Sequence, residues 1–145
     1  MNTKLIEKCF NDLNVSYTLV SKEEKETVIE NWLKCYASNV KKETGTWICD
    51  KFKWHGFSSG IQYSLSGEEA RKEYSKQYLT DYYVFNEKED WCYHCESKTL
   101  PDLSVFGDDV YIVHHNMKWT MVYTHEQPHL GPYFATRVTN KLERK

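Results

Sequence analysis

Val110-Tyr111-Ile112-Val113-His114, then Trp119-Thr120-Met121-Val122-Tyr123-Thr124-His125-Glu126, then Gly131-Pro132-Tyr133-Phe134, is the stretch whose reading decides the fold. β-Branched and aromatic residues fill the first two runs, as they do in half-buried strands. Asn116-Met117-Lys118 between them supplies turn chemistry. A β-hairpin is therefore expected. It runs into a polar corner that gathers His125, Glu126, Tyr133 and Phe134.

Working outward, the same period of two marks residues 82–85 and 91–95 as further strands, with 109–115 and 119–125 forming the hairpin. Nearer the N-terminus the period becomes 3.6. Leu5, Ile6, Cys9, Phe10 and Leu13 recur at helical spacing, and Val15, Tyr17 and Leu19 then alternate as a strand does. Ser21-Lys22-Glu23-Glu24 has the form of a capping box. The helix it opens, from about 22 to 39, carries Val28, Ile29, Trp32, Leu33, Tyr36 and Val40 on one stripe. Ser66-Gly67-Glu68-Glu69 is a second capping box, whose helix would turn Ala70, Tyr74 and Tyr78 inward. A short helix is expected within 47–60, and a fraying tail over 138–145.

Helices first and strands later predict an α+β fold. The expected sheet is antiparallel, with about four to five strands, covered on one face by the N-terminal helices. Its other face would expose tyrosines and histidines. At 145 residues the chain is read as one domain, 1–145. Hydrophobic residues make up 40% and aromatics 15%, including 11 tyrosines and 5 tryptophans, enough for a core with a partly wet aromatic edge. The net charge of −2, with no long basic run, argues against nucleic acid. No apolar run approaches the roughly 18 residues that span a bilayer, and no secretory leader is read, so neither membrane nor export is expected. Five irregularly spaced cysteines suit a reduced, cytoplasmic chain.

Three motifs invite chemistry. Trp91-Cys92-Tyr93-His94-Cys95 has the W-C-x-x-C form of redox proteins. On a strand, however, Cys92 and Cys95 would point to opposite faces, and no helix follows to activate a thiol. Cys92, Cys95, His125 and His129 offer zinc-type donors, but the same alternation spoils a shared tetrahedral site. The expectation is free thiols, no metal and no cofactor. His114 and His115, as strand neighbours, are expected to diverge, one exposed and one half-buried. His125-Glu126 is the third motif. A histidine beside a carboxylate suits acid–base work near neutral pH. A structural corner, in which these side chains bond loop N–H groups, explains the same residues. His55, within Trp54-His55-Gly56-Phe57-Ser58, is either a satisfied core histidine or a partner of His125.

Two segments taken together carry a family resemblance. Trp54-His55-x-Phe57-Ser58 precedes a capped helix with Gly67-Glu68-x-Ala70. Downstream, Trp119-Thr120-x-Val122-x-Thr124-His125-Glu126 is closed by Gly131-Pro132-Tyr133-Phe134. That order resembles a family of small Bacillus-type proteins, domain-of-unknown-function family 4275, over about residues 46–135. The resemblance implies a bacterial or phage host and no fixed cysteines at Cys92 and Cys95. It brings no reaction with it.

The expected role is a protein- or ligand-binding module of the immunity, antitoxin or counter-defence inhibitor kind. The candidate binding residues are His55, Trp119, His125, Glu126 and Tyr133. The alternatives are a small enzyme with His125 and Glu126 as its acid–base pair, and a zinc-stabilised interaction module. Sequence leaves the partner, the ligand and the oligomeric state open.

Overall fold

A computed structural model describes residues 3–36, 64–86, 89–103, 109–124 and 131–137. The elements run α1 (Thr3–Asp12), β1 (Ser16–Leu19), α2 (Lys22–Tyr36), β2 (Leu65–Ser66), α3 (Gly67–Ser75), β3 (Tyr78–Asn86), β4 (Cys92–Thr99), β5 (Val110–His114), β6 (Trp119–Tyr123) and β7 (Tyr133–Thr136). All described strands join one antiparallel sheet, in the order β1-β4-β3-β5-β6-β7-β2.

The fold is α+β, as expected, but the sheet has seven strands rather than four to five. The strands beyond the expectation are short. β2 is a dipeptide, and β7 is the Tyr133-Phe134 segment that reads as a corner in the sequence. β7 pairs with β6 through Met121↔Phe134 and Val122↔Tyr133. So short a run carries too little alternation to declare itself, and the pairing partner decides its conformation.

Helices cover both faces, which corrects the one-sided expectation. Strand alternation sorts the side chains into two layers. On the first face Val84, Tyr93, Cys95, Ile112, Trp119, Met121 and Phe134 pack with Ile6 and Phe10 of α1 and with Ala70 and Tyr74 of α3. On the second, Phe85, Cys92, Tyr111, Val113, Val122 and Tyr133 pack with Val28, Trp32 and Tyr36 of α2. Every residue of β6 is buried, as in a strand enclosed from both sides.

The α2 stripe is narrower than its sequence suggests. Trp32 and Tyr36 are fully buried, whereas Ile29 and Leu33 are only half-buried. The fourth inward position is Lys25, whose ammonium donates to the carbonyls of Asn86 (3.2 Å) and Glu89 (2.5 Å). Trp32 anchors the helix. Its ring meets Tyr111 edge-on at 5.2 Å, and its Nε1–H donates to Thr120 Oγ1 at 2.9 Å. That hydroxyl in turn donates to the Ile112 carbonyl at 2.8 Å. An indole N–H and a strand hydroxyl are thus both satisfied in the core.

The two capping boxes differ. Ser21 Oγ accepts the Glu24 N–H at 3.0 Å, as read, while the Glu24 carboxylate accepts from the Tyr83 hydroxyl at 3.1 Å. Ser66 holds the N-cap position of α3 in extended geometry but makes no side-chain cap bond. Its residue is drawn into β2 opposite Tyr133, and the Gly67 N–H instead donates to the Pro132 carbonyl at 3.0 Å. Helix α3 ends at Ser75, so Tyr78 opens β3 rather than extending the helix. The turn at Asn116-Met117-Lys118 forms as expected, with Met117 at φ 64° and its N–H donating to the His114 carbonyl at 2.8 Å. The helix expected within 47–60, Val40 and the tail over 138–145 lie outside the described residues.

Candidate functional site

A cleft of about 340 Å³ opens on the first face, where the C-terminal half of α3 meets the segment leaving β4. Arg71, Tyr74 and Ser75 line it from the helix, Thr99, Leu100 and Asp102 from the strand end, and Tyr123 from β6. Helical spacing explains the first group. Arg71, Tyr74 and Ser75 are three and four residues apart, hence neighbours on one side of α3. Two buried phenols hold the opposite wall in place. The Tyr74 hydroxyl donates to the Pro101 carbonyl at 2.5 Å. The Tyr123 hydroxyl bonds the Asp102 carboxylate and the Leu103 backbone. The two rings meet edge-to-face at 6.1 Å, and Tyr74 meets Trp119 likewise at 6.0 Å. The cleft therefore has a rigid aromatic floor and a polar rim.

Its electrostatics are bipolar. Burial pushes the Tyr74 phenol far above its ordinary value, with Tyr123 a further cause. Tyr123 is raised by burial first and by the Asp102 charge next, while the Arg71 guanidinium pulls it down. Both phenols thus stay protonated and serve as hydrogen-bond groups rather than bases. A cation and an anion, Arg71 and Asp102, both act on the Tyr123 hydroxyl.

The structure separates two of the sequence-derived candidates. Trp119 lies on the first face, 4% exposed, stacked on Phe134 at 6.1 Å. Tyr133 lies on the second face, 6% exposed, beside Val122 and Ala135. They share no pocket. His55, His125 and Glu126 lie outside the described residues. What is described of the corner is tight. Gly131 sits at φ 101°, where a Cβ would stand 3.1 Å from Thr124 Cγ2 and 3.3 Å from the Tyr133 ring. The following Gly131–Pro132 peptide is cis.

The fold builds a histidine–carboxylate pair from residues remote in sequence. His94 Nε2 contacts Asp81 Oδ1, across β4 and β3. The His94 ring stacks on Tyr83 at 4.9 Å. Both members are half-exposed on the second face. Strand register makes this pair, so no local motif announces it. His114 and His115 also depart from expectation. One is half-buried and the other exposed, as read, yet their rings lie 4.4 Å apart, because the strand ends at His114 and alternation stops there.

Cys92 and Cys95 point to opposite faces, as strand alternation requires, and belong to different core layers. Burial pushes the Cys92 thiol up to about 12 and raises Cys95 too. The four described cysteines are free. Among the described residues no group of three or more His, Cys, Asp or Glu is placed to hold a metal, and no helix is long and apolar enough to cross a membrane.

Sequence reasoning missed the cleft. Arg71 and Tyr74 were legible as helix neighbours, but Tyr123 reads as plain strand and Asp102 as plain loop. Only the packing of α3 across β6 brings them together.

Comparison with protein families matches residues 28–134 to the family described as Domain of unknown function (DUF4275). No curated protein and no solved structure matches the chain. With a match running from α2 to β7, well over half of its length, the chain belongs to the DUF4275 family.

Proposed function

We propose that this protein is a binding module whose site is the cleft between α3 and the end of β4. The observation that carries the reading is the convergence of Arg71, Asp102 and two protonated phenols on one concave, aromatic-floored volume of about 340 Å³. Ligand sites combine such a floor with a few placed polar groups, at volumes of roughly 300–1,000 Å³. The groups suit holding rather than proton transfer, since burial keeps both phenols protonated.

His125 and Glu126 remain candidates for binding, or for an acid–base role, because they follow Tyr123 and Thr124 directly in the chain. Trp119 supports the cleft through Tyr74, while Tyr133 packs against the second face.

Amide chemical-shift mapping with a panel of small metabolites tests the proposal. Shifts centred on Arg71, Ser75, Thr99 and Asp102 are expected for at least one compound. Shifts confined to other surfaces would overturn it. A protein-docking role of the immunity or antitoxin kind is favoured by a different observation. Leu19 is 61% exposed on edge strand β1. Edge strands recruit partners by strand addition. Under that reading Leu19→Lys abolishes partner binding and leaves the cleft's shifts intact.

A further inference from the structure

The two edges of the sheet are not alike. β2 closes one edge with two residues, whereas β1 presents four, Ser16-Tyr17-Thr18-Leu19, on the other. Nothing in β1 blunts that edge: it holds no charged residue and no proline, the usual protections. The ladder shows which groups are open. The Val20 N–H donates to the Cys92 carbonyl at 2.9 Å, so by the alternation of antiparallel pairs Thr18, opposite His94, and Ser16, opposite Glu96, also turn their N–H and C=O to β4. Those of Tyr17 and Leu19 therefore face away from the sheet. Leu19 is also the most exposed large hydrophobic among the described residues, and the others, Leu5 and Leu13, belong to α1 and the turn after it.

We propose that β1 pairs antiparallel with β1 of a second copy of this chain, about a two-fold axis at Thr18. That register sets Tyr17 opposite Leu19 of the second copy, Leu19 opposite its Tyr17, and the two Thr18 residues opposite each other. It matches open donors to open acceptors on both sides of the axis. It also covers Leu19. Tyr17 is half-buried against Phe10 at 5.2 Å and Tyr93 at 5.7 Å, so the leucine of the second copy extends an aromatic cluster. Electrostatics agree. An isologous contact sets a residue on the axis against its own like, so a charge there would repel itself. Here the axis passes through a threonine, every pair across it is neutral, and facing threonine hydroxyls suit such a contact. So short an edge is small beside the roughly 1,600 Å² of a standard interface, and the dimer belongs to the weak, reversible class. None of the residues lining the cleft takes part.

Sedimentation velocity of the full chain over a concentration series, together with oxidative cross-linking, tests the pairing. A reversible monomer–dimer equilibrium is expected. Thr18→Cys sets two thiols opposite each other in a non-hydrogen-bonded pair, with Cα atoms about 4.5 Å apart, within disulfide range. Mild oxidation should give a covalent dimer, and mass spectrometry should find the introduced thiol in both halves of the cross-linked peptide. Ser16→Cys should give none, because its two copies stand four residues apart along the paired strands, about 13 Å. Leu19→Pro removes one outward N–H and keeps the bonds to β4, so it should abolish the dimer while circular dichroism shows a folded chain. The cross-linking comparison decides should that variant unfold. A chain monomeric at every concentration, a dimer that Leu19→Pro leaves unchanged, or equal cross-linking by Thr18→Cys and Ser16→Cys would each overturn the pairing. A monomer that binds a foreign protein through Leu19 would overturn it too and give the edge to that protein. Ligand shifts at the cleft, measured in Leu19→Pro, judge the cleft separately from all of these results.

Discussion

At Gly131 the backbone occupies a region that side chains rarely adopt, and the space a Cβ would need is already filled by Thr124 and Tyr133. Gly131→Ala is therefore expected to lower stability by roughly 1–3 kcal/mol, read as a shifted urea midpoint with an unchanged slope. The sequence shows a glycine here, but its reason lies in a neighbour across the chain reversal. His114 gives a second residue-scale prediction. Burial is the main cause that lowers its pKa from 6.5 to about 4, with His115 and Lys118 adding to it and Asp81 opposing it. The folded value lies below the unfolded one. Between those two values the unfolded chain holds a proton that the folded chain does not, so stability is complete above pH 6.5 and falls as the pH drops toward 4. His114→Gln should flatten that part of the stability–pH curve. An unchanged slope in the variant would show that other groups set the acid limb. The strand alternation that predicts divergent histidines is valid inside β5 and fails one residue beyond it, because His115 belongs to the turn.

Among the elements, α2 shows how far a stripe can be read. Periodicity names the correct side of the helix, yet it ranks Trp32 and Leu33 alike, whereas only Trp32 reaches the sheet fully. Trp32→Ala should cost about 3–5 kcal/mol, through the lost ring and the hydrogen bond that Thr120 Oγ1 no longer accepts. Leu33→Ala should cost distinctly less, about 1 kcal/mol, in proportion to its half burial. Equal midpoint shifts for the two variants would refute this docking of the helix. The buried Lys25 was illegible for a plain reason. A lysine reads as surface until a fold brings carbonyls to meet it, here those of Asn86 and Glu89. Strand β4 was better legible. Its alternation predicts that the W-C-x-x-C run is a strand, with its thiols on opposite faces, and that is its structure. Both thiols are raised by burial, so native protein should leave Cys92 and Cys95 unmodified by iodoacetamide at pH 8, and denaturant should release them. Alkylation of either in the native state would place that strand elsewhere.

At the scale of the molecule, the α+β class follows from the order of periods along the chain, and the two-sided helix cover does not. Which face a helix takes depends on the connections, and the segment between α2 and β2 carries no pattern that fixes it. The cleft is legible for the same reason only in hindsight. Its charged residues sit on α3 and beyond β4, and its floor comes from β6, three elements brought together by the sheet order. Tyr123, which lines the cleft, stands two residues before His125 in the chain. The sequence singled out the residues that follow β6, whereas the cleft is lined by the Tyr123 ring within it. The central claim, that this cleft is where the protein binds, is tested most directly by filling it. Ser75→Trp adds an indole at the cleft's exposed rim on the last residue of α3. The variant is expected to keep its melting temperature within about 3 °C, as surface substitutions do, while the ligand-induced shifts at Arg71, Thr99 and Asp102 vanish. Ligand shifts that survive unchanged in a folded Ser75→Trp protein would contradict the account.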